Sequence, residues 1–272
     1  PCLFGLEGIV ADEMKRLSFE NVKANDGKVT FTGNISDIAK ANINLRCAER
    51  IGILMGEFKA TTFEELFQGI KSLPWENWIG RKDSFPVNGH SVRSKLFSVP
   101  DCQAIIKKAI VERMKTVYKI SWFDESGPEH KIKFNILNDI VSIMIDTSGE
   151  GLHKRGYRAN ANEAPLRETL AAALVNISRY RRYETLIDPL CGSGTIAIEA
   201  ALYAKNMAPG LNRSFQAKKW SQIPEKIWSD ERERAKSVIS NEKAQIYAYD
   251  IDTKSVFLTL NNAKKAGVSE CI

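Results

Sequence analysis

The chain has 272 residues, 43% of them hydrophobic and 26% charged, a make-up that suits a globular protein with material for about two domains. Its 39 Lys and Arg against 33 Asp and Glu leave a net charge of +6, a mild lean toward a polyanionic partner. No apolar run approaches the ~18 residues of a membrane span, and the five scattered cysteines and three histidines share no zinc-ligand or disulfide spacing. This reading expects a reducing, cytoplasmic setting with neither membrane nor metal as partner.

Leu6, Ile9, Val10, Met14 and Leu17 recur at helical spacing and predict an amphipathic helix over 5–18. A hairpin follows, with Val22 and Ala24, the turn Asn25-Asp26-Gly27, then Val29 and Phe31 in alternation. Asn34 or Ser36 should cap a second helix running to about Arg46. Residues 1–50 thus read as an α+β subdomain.

A strand is expected over 51–58, then a helix opened by the capping box Thr62-x-x-Glu65. Val87–Leu96 reads as a strand. Asp101 is the expected cap of a long helix that buries Ile106, Ile110 and Met114. Its other face carries Lys107 and Lys108, read first as a solvated surface and second as candidates for contact with a polyanion such as RNA. Two strands, Ile132/Phe134/Ile136 and Val141/Ile143/Ile145, close the module at residue 149. Residues 150–163 then change character: Lys154, Arg155 and Arg158 cluster around Tyr157 among glycines. Such a stretch can act as a flexible basic linker, or grip phosphate while the aromatic stacks a base.

The chemistry concentrates in Leu186–Glu199. Leu186 and Ile187 end a strand, Asp188 sits at its carboxyl edge, and Pro189 forces the chain out of the sheet. Leu190 and Cys191 lead into Gly192-Ser193-Gly194, a turn that lets backbone approach a ligand. Thr195 opens an apolar helix. The third glycine of a nicotinamide fingerprint and the lysine of a phosphate loop are both missing. A second apolar strand, Ile246–Tyr249, also ends in acid, at Asp250 with Asp252 two residues on. Asp250 is the first candidate to accept the hydroxyls of a ribose; Asp252 is a second candidate and equally suits a helix N-cap.

The string Asp188-Pro-Leu-Cys-Gly-Ser-Gly-Thr195 closely resembles motif I of the class I S-adenosylmethionine-dependent methyltransferases. Leu152-His-Lys-Arg-Gly-Tyr-Arg158 followed by Ala164-Pro-Leu-Arg-Glu-Thr-Leu-Ala-Ala172 resembles the junction of the UPF0020-type RNA methyltransferases, the group that contains the large-subunit rRNA guanine-N2 enzymes. Residues 51–149 resemble a THUMP RNA-binding domain, and 1–50 its usual ferredoxin-like companion. The resemblance implies an α+β recruiting part and, from 164 to 272, part of a Rossmann-like α/β methyltransferase domain. It implies S-adenosylmethionine as cofactor, held by Asp188, Pro189, Cys191, Gly192, Ser193, Gly194, Thr195, Asp250 and Asp252. It also implies RNA as partner, most closely 23S rRNA with tRNA as the alternative. An adenine-N6 DNA methyltransferase and a non-catalytic RNA-binding protein are the further readings.

In that group an Asn/Asp-Pro-Pro-Tyr/Phe motif after the fourth strand positions the target amine. The nine prolines here are all isolated, so the catalytic residues are not among these 272 and the acceptor half is expected beyond Ile272. Val268–Ile272 reads as an approach to a third strand, and this stretch of chain by itself is expected to be inactive.

Overall fold

A computed structural model describes residues 1–158, 165–241 and 244–272. In chain order the first elements are α1 (Glu7–Arg16), β1 (Glu20–Asn25), β2 (Lys28–Thr32), α2 (Ile35–Asn44), β3 (Gly52–Lys59), α3 (Phe63–Lys71), β4 (Val87–Val92) and α4 (Val99–Tyr118). They are followed by β5 (Ile132–Leu137), β6 (Ile140–Asp146), α5 (Glu168–Ile177), β7 (Thr185–Asp188), α6 (Thr195–Ala204), α7 (Glu225–Ser237), β8 (Gln245–Ala248) and α8 (Thr253–Ala266).

These elements form two compact units. One comprises Gly52–Gly149 and Phe215–Ile223. Its four strands run in the order β3-β6-β5-β4, with β4 parallel to β5 and the other pairs antiparallel. Alternation along β5 puts Ile132, Phe134 and Ile136 inside, where they join Leu66 and Ile70 of α3 and Ile106 of α4 in the buried core. Thr62 caps α3 in a full capping box with Glu65. The long helix starts earlier than expected: Ser98 is the N-cap, Pro100 lies in the first turn where its missing N–H costs nothing, and Asp101 sits inside that turn near the positive helix end. β4 also ends short of Leu96, because Arg93 adopts φ 49°, which no strand can continue.

The segment Phe215–Ile223, left without a role by the sequence, is a strap on this unit. Its Ala217 N–H bonds to Thr147 O, and Trp220 stacks on His130 with ring centroids 4.3 Å apart while its indole N–H donates to Glu129 O. Phe215 and Trp220 are fully buried. Burial pushes the His130 pKa down despite the nearby Asp83 carboxylate, which favours the neutral ring that stacks flat on the indole.

The other unit gathers Pro1–Ile51, Glu150–Ser214 and Pro224–Ile272, so the first 51 residues cluster with the later part of the chain. Here β1 and β2 form a hairpin behind α1, and α2, capped by Asn34, packs on α7. β7 and β8 pair in parallel, Asp188 opposite Ala248, and α6 packs against α5, α8 and both strands. Its core sets Ile198, Leu202, Ile246 and Val268 beside small residues on α6 and α8, among them Ala197, Ala201 and Ala263, which let helix and strand approach closely. The described part of α5 begins at Glu168, three residues after Pro165, because Arg167 is extended; Ala164, the start of the second junction string, lies outside the described residues, as do 159–163 of the expected linker. The expected third strand is a short 3-10 turn over Ser269–Cys271, set up by the left-handed Gly267 that ends α8.

Candidate functional site

The parallel pairing of β7 with β8 brings two acidic strand ends together. The ladder continues past both: Tyr249 N–H donates to Asp188 O and Cys191 N–H to Tyr249 O, each at 2.8 Å. Pro189 and Leu190 carry the chain off the sheet, and Gly194 N–H closes the turn onto Cys191 O. Gly192 (φ 54°) and Gly194 (φ 78°) both occupy the left-handed region, and Gly194 is the N-cap of α6. The turn thus presents a helix N-terminus at the carboxyl edge of two parallel strands, the place where such sheets bind ligands.

Asp250 spans the gap between the strand ends. One of its oxygens accepts from Gly192 N–H at 2.8 Å and the other from Asp252 N–H at 2.9 Å. Each oxygen keeps a lone pair, which is what two ribose hydroxyls require. Asp252 is turned the other way: it caps α8, accepting from Lys254 N–H at 3.0 Å and Ser255 Oγ at 3.1 Å, and these bonds lower its pKa. Asp188 is nearly buried; burial raises its pKa, the Leu190 N–H opposes the rise, and the charge on Asp250 adds to it. Cys191 is a buried thiol whose pKa burial also raises.

Two side chains that sequence reasoning missed hold this turn from behind. Thr259 Oγ1 donates to Gly192 O at 3.0 Å and Asn262 Nδ2 to Ser193 O at 3.1 Å. They stand three residues apart on α8 and so share a face, and both are buried among Ala263 and Ala266. Polar residues at core positions of an otherwise apolar helix face were the available signal.

The basic junction takes a different role from the one its composition suggested. Arg155 is 4% exposed: Nε pairs with Glu199 of α6 at 3.4 Å, Nη1 donates to Leu152 O, and Nη2 to Arg46 O. Tyr157 is equally buried, its hydroxyl donating to Glu199 Oε1 at 3.1 Å. Neither can grip a phosphate or stack a base where it stands, so the RNA contact expected of both is corrected to a buried polar network. Arg158 donates to Thr195 Oγ1 at 2.6 Å and to Leu166 O, and pairs with Glu168, which fixes it to the first residue of α6. Ser193 Oγ lies 3.3 Å from the same Thr195 hydroxyl. Lys154 alone stays at the surface, paired with Glu150 at 3.0 Å. In the other unit Lys107 is drawn onto the Phe85 ring and bonded to Glu125, which takes up the charge expected to meet RNA, while Lys108 is exposed. Among the described residues no cluster of His, Cys, Asp and Glu could hold a metal, and no helix is long and apolar enough to cross a membrane.

Acid-ended parallel strands bridged by a left-handed glycine turn are the arrangement of a class I S-adenosylmethionine-dependent methyltransferase. Family models agree and go further: residues 155–272 match the UPF0020 RMKL-like methyltransferase domain, 60–146 the THUMP domain, and 1–52 the RlmL ferredoxin-like domain. The chain belongs to this family of THUMP-bearing, S-adenosylmethionine-dependent RNA methyltransferases. It is 44% identical over 271 residues to YpsC of Bacillus subtilis (strain 168), provisionally named an RNA methyltransferase, covering 98% of this chain and 70% of that protein. It is 33% identical over 283 residues to the ribosomal RNA large subunit methyltransferase K/L of Psychromonas ingrahamii, covering all of this chain and 37% of that protein. Among solved structures, SMU.472, provisionally named a methyltransferase and complexed with S-adenosylhomocysteine, superposes with a TM-score of 0.92 at 40% identity, covering 98% of this chain and 71% of that one.

Proposed function

We propose that the protein methylates N2 of a guanine in large-subunit ribosomal RNA, in the cytoplasm. The observation that carries the substrate choice is the match along the entire chain to a ribosomal RNA large subunit methyltransferase. The five cysteines are free thiols, as a reducing compartment requires.

In this reading Asp250 accepts the ribose hydroxyls of the donor. The turn Asp188–Thr195 lays its backbone along the rest of the molecule, with Asp188 at the strand edge and Gly192, Ser193 and Gly194 leaving room. Bound S-adenosylmethionine supplies a methyl group already activated on a sulfonium, so the chain's task is to hold it in line with the incoming amine and to exclude water. Thr259, Asn262 and Arg158 keep the turn in the shape that does this. The base must leave its stack to reach the donor, and the exposed Lys154 offers charge to the phosphates around it, while the exposed Lys108 of the other unit is a separate candidate for RNA contact.

Methyl transfer from radiolabelled donor by the full-length protein should favour undermodified 23S rRNA over bulk tRNA. Equal or greater labelling of tRNA would exchange the two substrates. For the donor, Asp250→Ala should weaken S-adenosylhomocysteine binding at least 30-fold in calorimetry, because it removes both the ribose acceptors and the Gly192 latch. Asp252→Ala should instead lower the melting temperature through the lost helix cap, with donor affinity within about threefold. The reverse ranking would exchange the roles of the two acids.

A further inference from the structure

At the far end of α6 from the glycine turn lies a cleft of about 680 Å³, within the range of roughly 300–1,000 Å³ typical of ligand pockets. α6 has ten residues, so the two places are separated by about 15 Å of helix. The cleft is walled by the ends of α1 and α2, by the turn that follows α5, and by α7. Its lining includes five arginines, Arg16, Arg46, Arg181, Arg182 and Arg234, against one acid, Glu13. Glu13 is itself buried, and its carboxylate is engaged by the Arg46 and Cys47 N–H groups. Arg234 is bound by Glu231 and belongs to the wall, whereas Arg16, Arg181 and Arg182 are exposed at the mouth.

Two buried polar groups in this lining lack a hydrogen-bond partner among the described residues: the Tyr180 hydroxyl and Nη1 of Arg46. Tyr180 is only 7% exposed. Both atoms are closed to solvent, so they sit behind the cleft wall, and the groups that a ligand in the cleft can reach are those exposed at its mouth. Beside it Tyr183 is 74% exposed, and Arg181 Nη1 donates to its hydroxyl at 2.7 Å, which holds a planar ring and a cation together at the rim.

We propose that this cleft binds a stretch of the RNA substrate, with phosphates on Arg16, Arg181 and Arg182 and a base against Tyr183. It rests on the reading of the protein as an RNA methyltransferase and adds a second RNA contact, on the unit that carries the donor turn. RNA is favoured over an acidic peptide because the rim sets cations beside an exposed aromatic face, the combination that meets phosphates and bases together. The Arg179-Tyr-Arg-Arg182 run, which the function otherwise leaves idle, is the sequence trace of this site.

The test is filter binding of undermodified 23S rRNA to the full-length protein over a series of salt concentrations. Replacing Arg16, Arg181 and Arg182 together by alanine should weaken binding roughly 10- to 100-fold near 0.1 M salt and flatten the log–log salt slope by about 2, from three phosphate contacts at about 0.7 each. Tyr183→Ala should weaken it several-fold while leaving the melting temperature unchanged, since the ring is 74% exposed; a purely structural ring would move the melting temperature instead. S-adenosylhomocysteine affinity should stay constant in every variant, as a check that the fold is intact. Tight RNA binding by the parent protein with unchanged affinity and slope in the variants would overturn the cleft alone. Failure of the parent protein to bind RNA at all would overturn the RNA reading and the cleft with it.

Discussion

Gly194→Ala should abolish detectable binding of S-adenosylhomocysteine, a loss of at least 100-fold by calorimetry, in a protein that still folds. Gly194 holds φ 78°, where an L-residue costs roughly 1–2 kcal/mol. A Cβ built there would lie 2.5 Å from Thr259 Cγ2 and 2.8 Å from its Oγ1. Thr259 is 2% exposed and cannot swing away without releasing Gly192 O, the carbonyl it holds. The opposing gain, a less flexible unfolded chain, is worth only about 0.4–1 kcal/mol. Strain and collision therefore win, and they are relieved by moving the turn itself. Thr259→Ser keeps the hydroxyl and removes the methyl in the way, so the double variant Gly194→Ala/Thr259→Ser should recover part of the affinity lost by Gly194→Ala alone. Donor affinity within threefold of the parent in Gly194→Ala would show that the turn does not hold the donor.

The glycine turn was legible because everything that makes it is local. Strand end, acid, proline, two glycines and helix start fall within ten residues, and each acts on its immediate neighbours. Its support was not legible, because Thr259 and Asn262 reach Gly192 and Ser193 across 67 and 69 positions, and no local pattern marks that contact. Asp250 and Asp252 illustrate the boundary between the two cases. Both are acids at a strand end, and only the fold shows that one reaches the glycine turn while the other caps its own helix. The junction failed for another reason: arginines and a tyrosine among glycines have the same composition whether they grip phosphate or satisfy a buried glutamate. What decides between these roles is Glu199, which the sequence presents only as one acid on an apolar helix. That the core holding Phe215 and Trp220 is that of the four-stranded unit depends on the Thr147 and Glu129 carbonyls that receive this segment.

Arg155→Ala should destabilise the unit that contains α6 by about 3–5 kcal/mol, the range for breaking a buried ion pair by deleting one partner. The Arg155 side chain is 2% exposed and that of Glu199 0%. Burial works against the Arg155 charge, but the Glu199 carboxylate outweighs it and the pKa ends above its ordinary value. Without the guanidinium, Glu199 keeps one hydrogen bond from Tyr157 and the charge of Arg46, while the Leu152 and Arg46 carbonyls each lose a donor. Lys154→Ala, one residue away at the surface, should stay within about 0.5 kcal/mol of the parent. Hydrogen exchange of the α6 peptides gives the cleanest readout, because four of the five tryptophans lie in the other unit and fluorescence would report mainly on it. Replacing the pair with apolar residues of similar volume, Arg155→Met/Glu199→Leu, should recover most of the loss, since two charges then leave the interior together. An Arg155→Ala protein that keeps its α6 protection and instead loses RNA affinity would mean that this arginine leaves the interior to meet RNA, and that the buried pair is not what holds the helix in place.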